Sequence, residues 1–577
     1  MILKKIFSFL KYNDIKFRLI FLFIIFLSLL IFVLDGLTIF AFLPLISDNP
    51  ENNFSNYTAY EAYIPNFILD YFKVIQFKDI FLICMLAVLI RTLTFIFRNY
   101  VIYRFCKFTE ISASKKFYYN LINKTYLNFY KETSSQILKD FRDSIGAYAM
   151  YVEHSTRIIA DTIIFLSFSI FLIYISFEQT ILIFVYFLIL IICFNKVLTK
   201  FTFKLGKKMN LSSNKMNFTI INTYKNFSQI IIRRLKNRYM EKILSHVNDY
   251  SFSRLFNTFL QINTKQVIEI FSIIFIFLIF FFLEKNYSYN DFIVLASIYI
   301  ISAYRLLPIV GNLISSFLRL SNLDYGFSII HSKIKSTKLN HKNNEFEQKN
   351  TRSLEFSGAL KLENISFRYE NKKNFIIKKL NLVVKKNHMI GIKGTSGKGK
   401  STLIKIILGL IKATDGNIYL DNKKIIKNNI KDYQSFFSYL PQENLFFPGT
   451  IKENIAFGED TINIKKIKKS LKIANCNNFL KNLKNGLNHE IEENGKNFST
   501  GQLQRLALAR ALYFDTEIVI LDEPTSALDG QAEMQFNKLM FSIKKIKTII
   551  IISHKSKSLK YCDFVYELSQ NKLFKKK

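Results

Sequence analysis

Acidic side chains are scarce in this chain: 43 Asp and Glu stand against 80 Lys and Arg over 577 residues, a formal net charge of +37. Such a balance suits a polyanion or an anionic lipid. Lysine, asparagine, isoleucine and phenylalanine run high together, which is a drift of the whole chain, and positively charged cytoplasmic loops add to it. No aromatic–basic motif of an RNA- or DNA-binding module occurs, so no nucleic-acid partner is expected. Cysteine is also sparse. Cys84, Cys106, Cys193, Cys476 and Cys562 are scattered and odd in number, which excludes a disulfide framework and leaves no metal-ligand spacing. Cys84 and Cys193 lie in apolar runs and read as packing residues. The N-terminal MILKKIFSFLKYNDIKFR lacks a small-residue cleavage site, and the apolar run behind it is too long for a signal-peptide core. It reads as a retained first span. Residues 326–577 never sustain the roughly 18 apolar residues that a membrane crossing needs.

What is present divides in two. Half of the residues are hydrophobic, with a mean hydropathy of +0.15, too high for an ordinary soluble protein and too low for a pure membrane bundle. The apolar runs fall in residues 1–325, and six spans are expected near 19–46, 80–105, 156–177, 179–199, 262–283 and 292–317. Segments 106–155 and 200–261 are long and basic, the latter with Lys200, Lys204, Lys207, Lys208, Arg233, Arg234, Lys236 and Arg238. The positive-inside bias places both segments and both termini in the cytoplasm. Their helical periodicity predicts that the spans continue as helices beyond the bilayer. In the outer loop, Tyr63–Ile75 predicts a short amphipathic helix with Phe67, Leu69, Tyr71 and Phe72 at the membrane surface. Residues 326–356 are polar and charged and read as a linker. After them, short β-like runs alternate with helices, as in an α/β domain over 357–577.

That domain carries the strongest local signal. Gly394-Thr395-Ser396-Gly397-Lys398-Gly399-Lys400-Ser401-Thr402 fits G-x-x-x-x-G-K-[ST] between the apolar run Met389–Ile392 and a helical pattern from Leu403. Glycines let backbone N–H groups curl around phosphate at a helix N-terminus; Lys400 is placed for the β and γ phosphates, and Ser401 for Mg²⁺. Downstream, Ile518–Leu521 precedes Asp522 and Glu523, candidates for holding Mg²⁺ and for polarising the attacking water. Ile549–Ile552 is a second buried strand, ending in Ser553 and His554, with the histidine expected near the γ-phosphate.

These motifs, in this order, resemble the ABC ATPase family over 357–570. The resemblance implies further roles: Tyr369 stacking on adenine, Gln442 of Leu-Pro-Gln-Glu bridging Mg²⁺ and the membrane domain, and Glu492–Gly495 as an acidic turn facing coupling helices. Phe498-Ser499-Thr500-Gly501-Gln502, followed by Gln504 and Arg505, occupies the signature position, and Ser526–Asp529 looks like the dimer-facing loop, with Asp529 at its end. In this family one subunit's signature closes over the ATP held by the other, so a chain with one ATPase domain pairs with a second copy or a related half-transporter. Fused to six spans, the domain resembles an ABC exporter half, with coupling helices implied near Asn128–Gln136 and Asn222–Gln229. Two positions depart from the family pattern: Thr500 stands where a glycine is usual, and Lys398 where a small residue is common.

The expected spans also contain charges, each of which asks for a partner or a task. Asp35 and Arg91 come out at matching depths of about 16 Å, and Glu269 and Arg305 at roughly 20 Å, so each pair can form within the bundle. Arg98 and Lys265 add to these. Arg91, Arg98, Lys265 and Arg305 against Asp35 and Glu269 leave a surplus of two positive charges per chain, suited to a phosphate or diphosphate group. The stretches Ser134–Lys139 and Ala303–Ser316 resemble the bacterial flippase of diphosphate-linked oligosaccharide lipids in protein N-glycosylation, although Asn312 stands where that branch predicts a basic residue. The expectation is therefore an ATP-driven flippase in a bacterial inner membrane, with ATP and Mg²⁺ bound by its ATPase domain and an anionic lipid as cargo. Exporters of peptides, drugs or lipid A-like lipids share the same architecture.

Overall fold

The computed structural model describes residues 15–42, 77–175, 177–286, 289–335, 354–370, 372–395, 397–443, 445–525 and 530–576. Some helical side chains, Lys265 among them, are outside the description, as are Ser396, Ser526–Asp529 and the expected outer-loop helix Tyr63–Ile75. The chain divides into two compact units, 1–124 with 128–341, and 125–127 with 342–577.

Six long helices build the first unit: α1 (Ile15–Phe42), α2 (Phe77–Ile122), α3 (Ile145–Ile175), α4 (Phe177–Lys225), α5 (Lys236–Asn286) and α6 (Tyr289–Lys335). α6 packs against α3, α4 and α5; α5 also packs on α4, and α1, α2 and α3 pack on one another. The four longest have 46 to 51 residues. At 1.5 Å per residue they run about 70 Å, more than twice a bilayer's ~30 Å core. Continuous apolar sequence followed by polar but unbroken sequence produces this, because no proline or glycine cluster stops the helix where the hydropathy falls.

The burial pattern inverts that of a soluble helix. Leu22, Phe26, Leu29 and Val33 on α1 and Leu86, Leu89, Leu93 and Ile96 on α2 point outward, whereas Ser28, Asp35 and Thr38 are buried. Apolar surface on this scale suits a lipid environment. The Ser28, Ser169 and Ser272 hydroxyls each donate to the carbonyl four residues earlier, at 2.8 Å, which satisfies them inside their own helix. Four helical stretches, Ile15–Thr38, Met85–Ile122, Phe184–Lys225 and Arg305–Lys335, are long and apolar enough to cross a membrane. α3 and α5 do not reach that measure among the described residues.

Two expectations need correcting. The sixth helix runs to Lys335, through the first part of the segment read as a linker from 326. Cys193 is exposed on the outer apolar face of α4 and fills no core position. The first cytoplasmic segment has short helices at Tyr126–Phe129 and Ser134–Lys139, both overlapping the expected 128–136, and residues 125–127 partition with the second unit. A short helix in the other segment, Phe227–Ile232, follows a turn at Asn226 and overlaps the expected 222–229.

The second unit is built on two larger sheets and a two-stranded one, β7 (Gly449–Thr450) with β8 (Glu490–Ile491). A four-stranded antiparallel sheet has the order β2 (Ile377–Lys385), β1 (Ala359–Phe367), β4 (Asp415–Leu420), β5 (Lys423–Lys424). A six-stranded sheet has the order β12 (Lys572–Lys575), β11 (Phe564–Ser569), β3 (Met389–Lys393), β10 (Thr548–Ile552), β9 (Ile518–Asp522), β6 (Phe437–Leu440), parallel except at β12. β9 and β10 are buried along their whole length, which explains their unbroken apolar sequence: a central parallel strand is covered on both faces. Helices α7 (Lys400–Ile407), α8 (Ile464–Ile473), α9 (Thr500–Tyr513) and α10 (Gly530–Ile543) complete the unit. Tyr126 and Leu127 pack against its core, with the Lys405 ammonium 5.2 Å from the Tyr126 ring centre.

Candidate nucleotide site and buried membrane charges

Strand order assembles the chemistry of the second unit. β3, β10, β9 and β6 are neighbours and parallel, so their carboxyl ends lie side by side. The glycine loop 394–399 follows β3, Ser553 and His554 follow β10, Asp522 and Glu523 end β9, and Gln442 comes two residues after β6. Segments far apart in sequence thus meet in the crevice where open α/β sheets bind ligands.

The loop has the conformation a phosphate cradle requires. Gly397 and Gly399 have φ of +82° and +96°, and a Cβ on Gly399 would sit 2.6 Å from the Ile376 side chain. Only glycine meets both conditions. Gly399 caps α7, so the unpaired N–H groups of its first turn face the loop. The Lys400 ammonium donates to the carbonyls of Gly394 at 2.6 Å and Thr395 at 3.4 Å, which folds it over the cradle. Ser401 is exposed in the first turn, and Lys398 is exposed on the loop. The Tyr369 hydroxyl lies 3.4 Å from Thr402 Oγ1, with its ring edge-on to Phe367. This places the half-buried aromatic beside the cradle.

Glu523 is the centre of the cluster. Gln442 Nε2 donates to its Oε2 at 3.1 Å, and His554 Nδ1 is 3.5 Å from its Oε1. Its backbone is held at φ +49°, a strained value for a residue with a side chain, while its N–H donates to Ile552 at 2.8 Å. The adjacent Asp522 is buried. Burial first, and the Glu523 charge second, raise its pKa above the ordinary carboxylate value. Tyr439 was missed in the sequence reading: its hydroxyl donates to Asp522 Oδ2 at 3.4 Å. Its place on β6, three residues before Gln442, was the available signal. Asp522, Ser401 and Gln442 offer a carboxylate, a hydroxyl and an amide oxygen, hard ligands that fit Mg²⁺ when phosphate oxygens complete its shell.

Ser499 caps α9 through a reciprocal box: Gln502 N–H donates to Ser499 Oγ at 3.3 Å, and Ser499 N–H to Gln502 Oε1 at 2.9 Å. Thr500 is the first helical residue and is exposed, and Gly501 is half-buried beside it. Among the described residues, no hydrogen bond or ion pair joins Ser499–Gln502 to the glycine loop of the same chain. Asp529 and Ser396 lie outside the described residues.

In the first unit, the Arg91–Asp35 pair forms as expected, Nε to Oδ1 at 2.9 Å, with Asp35 almost fully buried. Arg305 approaches the same oxygen at 3.7 Å, so two arginines converge on one carboxylate from α2 and α6. The expected account of Arg98 needs correction. Its Nη2 meets Asp161 Oδ1 at 3.1 Å, and both side chains are more than nine-tenths buried. The charge count had omitted Asp161 and Arg157. Arg104 and Lys196 also fall inside the expected spans, so the surplus of two does not hold, and Arg98 is turned into a buried pair. Arg157 in turn bonds Glu153 and Asn99 at 3.0 and 3.1 Å. The Lys265 side chain lies outside the described residues.

Residues 377–526 match the sequence profile of the ABC transporter family. A lipid A-core flippase of Wigglesworthia glossinidia brevipalpis, named as ATP-dependent, is 35% identical over 217 residues, 37% of this chain and 37% of its own. An ABC multidrug transporter of Emericella nidulans, atrD, is 36% identical over 219 residues, 37% of this chain and 16% of its own. The chain spans less than two fifths of the length of the curated relatives it matches. In fold it is similar to a bacterial Atm1-family ABC exporter solved with ATP bound, at a TM-score of 0.75 and 18% identity, covering 95% of this chain and 93% of that one.

Proposed function

We propose, from an ABC transporter ATPase domain carried on an ABC exporter fold, that this chain is half of an ATP-driven lipid exporter of a bacterial inner membrane. The observation that carries the ATPase reading is the convergence of Lys400, Asp522, Glu523, Gln442 and His554 at the ends of four adjacent parallel strands. The glycine loop and Lys400 bind the phosphates of ATP. Ser401, Asp522 and Gln442 would hold Mg²⁺, which would supply charge neutralisation at the phosphates. Glu523 takes a proton from the attacking water, and His554 and Gln442 fix the carboxylate's orientation through their contacts to its two oxygens. Tyr369 stacks on the base.

The signature residues Ser499, Thr500, Gly501 and Gln502 do not meet the glycine loop of their own chain, which supports a site completed by a second copy or a related half. Asp529 is assigned to that interface on its sequence position alone. The six helices of the first unit then act as six crossings, with both termini and the ATPase on the cytoplasmic side. ATP joins the two ATPase domains, and hydrolysis releases them.

The cargo we propose is an anionic lipid, such as a polyprenyl-diphosphate-linked oligosaccharide, with Arg91 and Arg305 as its charge readers and Lys265 adding to them. The shared Asp35 supports this, since it gathers two guanidinium groups, from α2 and α6, at one place in the bundle. Arg98 serves the bundle through Asp161. Reconstituted protein should flip a fluorescent polyprenyl-diphosphate lipid in proteoliposomes with ATP and lose this in E523Q. Flipping that is unchanged in R91A/R305A would sink the diphosphate assignment and leave a drug or peptide exporter as the reading.

A further inference from the structure

A second basic feature lies away from the buried arginines. A cavity of about 670 Å³ opens between α3, α4 and α6. One wall is α4, which presents Lys200, Lys204 and Lys207, spaced i, i+4 and i+7 and therefore on one face of the helix, over a length of about 10 Å. The opposing surface is apolar, formed by Phe317 and Leu320 of α6 and Tyr151 of α3. Phe203 stands among the lysines and continues the apolar surface onto α4.

The charges are uneven. Asp324 is the one carboxylate in the lining, and it is engaged by the Tyr151 hydroxyl. The three lysines make no ion pair among the described residues, whereas Lys208, one position on and outside the cavity, is held by Asp249 at 2.6 Å. Helical rotation thus separates a paired lysine from three unpaired ones that share the cavity. The cavity is also built on a fixed base. At Gly206 a Cβ would lie 2.0 Å from the Asn322 carbonyl oxygen, so α4 and α6 touch backbone to backbone there and only glycine fits.

Its level in the chain gives it a place. Lys200 follows directly on the expected fourth span, and Phe317 closes the sixth, so the cavity sits where both helices leave the bilayer on the cytoplasmic side. A lipid headgroup resides at that level. A row of ammonium groups beside aromatic and aliphatic surface fits a phosphate-bearing head with a hydrocarbon chain, and a neutral head leaves the lining's net excess of two positive charges uncompensated.

We infer that this cavity is a binding site for an anionic amphiphile, a phosphate or diphosphate head carrying an apolar chain, at the cytoplasmic mouth of the membrane unit. The inference rests on the membrane reading of the first unit and deepens it with a site distinct from Arg91 and Arg305. The same chemistry is offered by a bilayer phospholipid and by a prenyl-linked cargo.

Binding without ATP separates this claim from transport. The full-length protein in neutral detergent would be titrated by native mass spectrometry with dioctanoyl phosphatidic acid, farnesyl diphosphate, dioctanoyl phosphatidylcholine and inorganic phosphate. The variants are K200Q/K204Q/K207Q and, as an equal change of charge on the same helix, K196Q/K208Q/K225Q. The first triple should weaken one or both anionic amphiphiles roughly ten- to a hundredfold, with the second triple near wild type. Whichever amphiphile responds identifies the source. Equal losses in both triples, no loss in either, phosphatidylcholine binding as well as the anionic lipids, or inorganic phosphate binding as tightly as they do would each overturn the assignment. A transport failure with these lipid results intact would leave this site standing and refute only the cargo.

Discussion

Replacing Arg98 separates a structural charge from a substrate-binding one. Its guanidinium lies 3.1 Å from Asp161 with both side chains more than nine-tenths buried, and it also lies 4.8 Å from the Phe95 ring centre. At an effective dielectric near 20, two unit charges about 3 Å apart attract by roughly 5 kcal/mol. Desolvation offsets most of that, and Nε and Nη1 of Arg98 are buried without hydrogen-bond partners, which weakens the pair further. The net value of the pair is therefore small, but removing one member strands the other. R98M should cost about 3–5 kcal/mol, whereas R98M/D161L, which removes both charges, should return to within about 1 kcal/mol of wild type. Thermal unfolding in detergent, followed by the loss of the monodisperse elution peak, should show R98M melting on the order of 5–10 °C lower and the double variant recovering. Flipping should recover in parallel. A double variant that regains its melting temperature but transports no lipid would refute the structural assignment and return Arg98 to the substrate. R98M with unaltered melting would refute the energetic argument itself.

Other consequences are open to measurement. G399A should abolish ATP binding, measured with a fluorescent ATP analogue, because its Cβ meets Ile376 at 2.6 Å and φ is +96°; binding within twofold of wild type would contradict the cradle. Lys333 Nζ bridges Glu132 and the buried Asp140, at 2.8 Å each; Glu132 keeps Lys124 and Asp140 keeps Lys139 when it is removed, so K333M should lower the melting temperature of the first unit through the loss of two charge-assisted bonds, about 1.5–3 kcal/mol. The Asp421 carboxyl accepts from the Ser357, Gly358 and Ala359 N–H groups and the Ser357 hydroxyl. Burial alone would raise its pKa, but these bonds together hold it below the usual carboxylate value. Its stabilisation is thus fully present above pH ~4 and lost as pH falls through the depressed value. D421A should cost about 2 kcal/mol at pH 7, with the deficit shrinking in acid; a deficit that grows in acid would contradict this. T500G should leave the melting temperature of the second unit within about 2 °C, since Thr500 is exposed and the cap is made by Ser499 and Gln502.

The ATPase half was legible because its chemistry is local in sequence. The glycine loop needs Gly397 and Gly399 at fixed offsets from Lys400, and Asp522 and Glu523 must end a buried strand, so each motif carries its own structural context. The membrane half was legible in its helices and less so in its pairings. Asp35–Arg91 followed from equal depth, a one-dimensional argument. Arg98–Asp161 required knowing which faces of α2 and α3 meet, and depth does not contain rotation. Arg305 came to share Asp35 for the same reason. Helix ends were misplaced where polarity and helicity part company: α6 continues to Lys335 because a polar, lysine-rich sequence without breakers remains a good helix outside the membrane. The cavity beside α4 was hidden because Lys200, Lys204 and Lys207 read as part of a cytoplasmic charge run until Phe317, Leu320 and Tyr151 were placed opposite them.

The measurement that bears most directly on the central claim is nucleotide retention by purified E523Q in Mg²⁺ and ATP. The Gln442–Glu523–His554 cluster predicts that Mg²⁺-ATPase activity falls by about 10²–10³-fold. E523Q should retain one ATP per chain in a particle of two chains, with the two ATPase domains separating when ATP is withdrawn. Turnover that survives E523Q, or ATP held by single chains, would contradict a site built on Glu523 and completed by a second subunit.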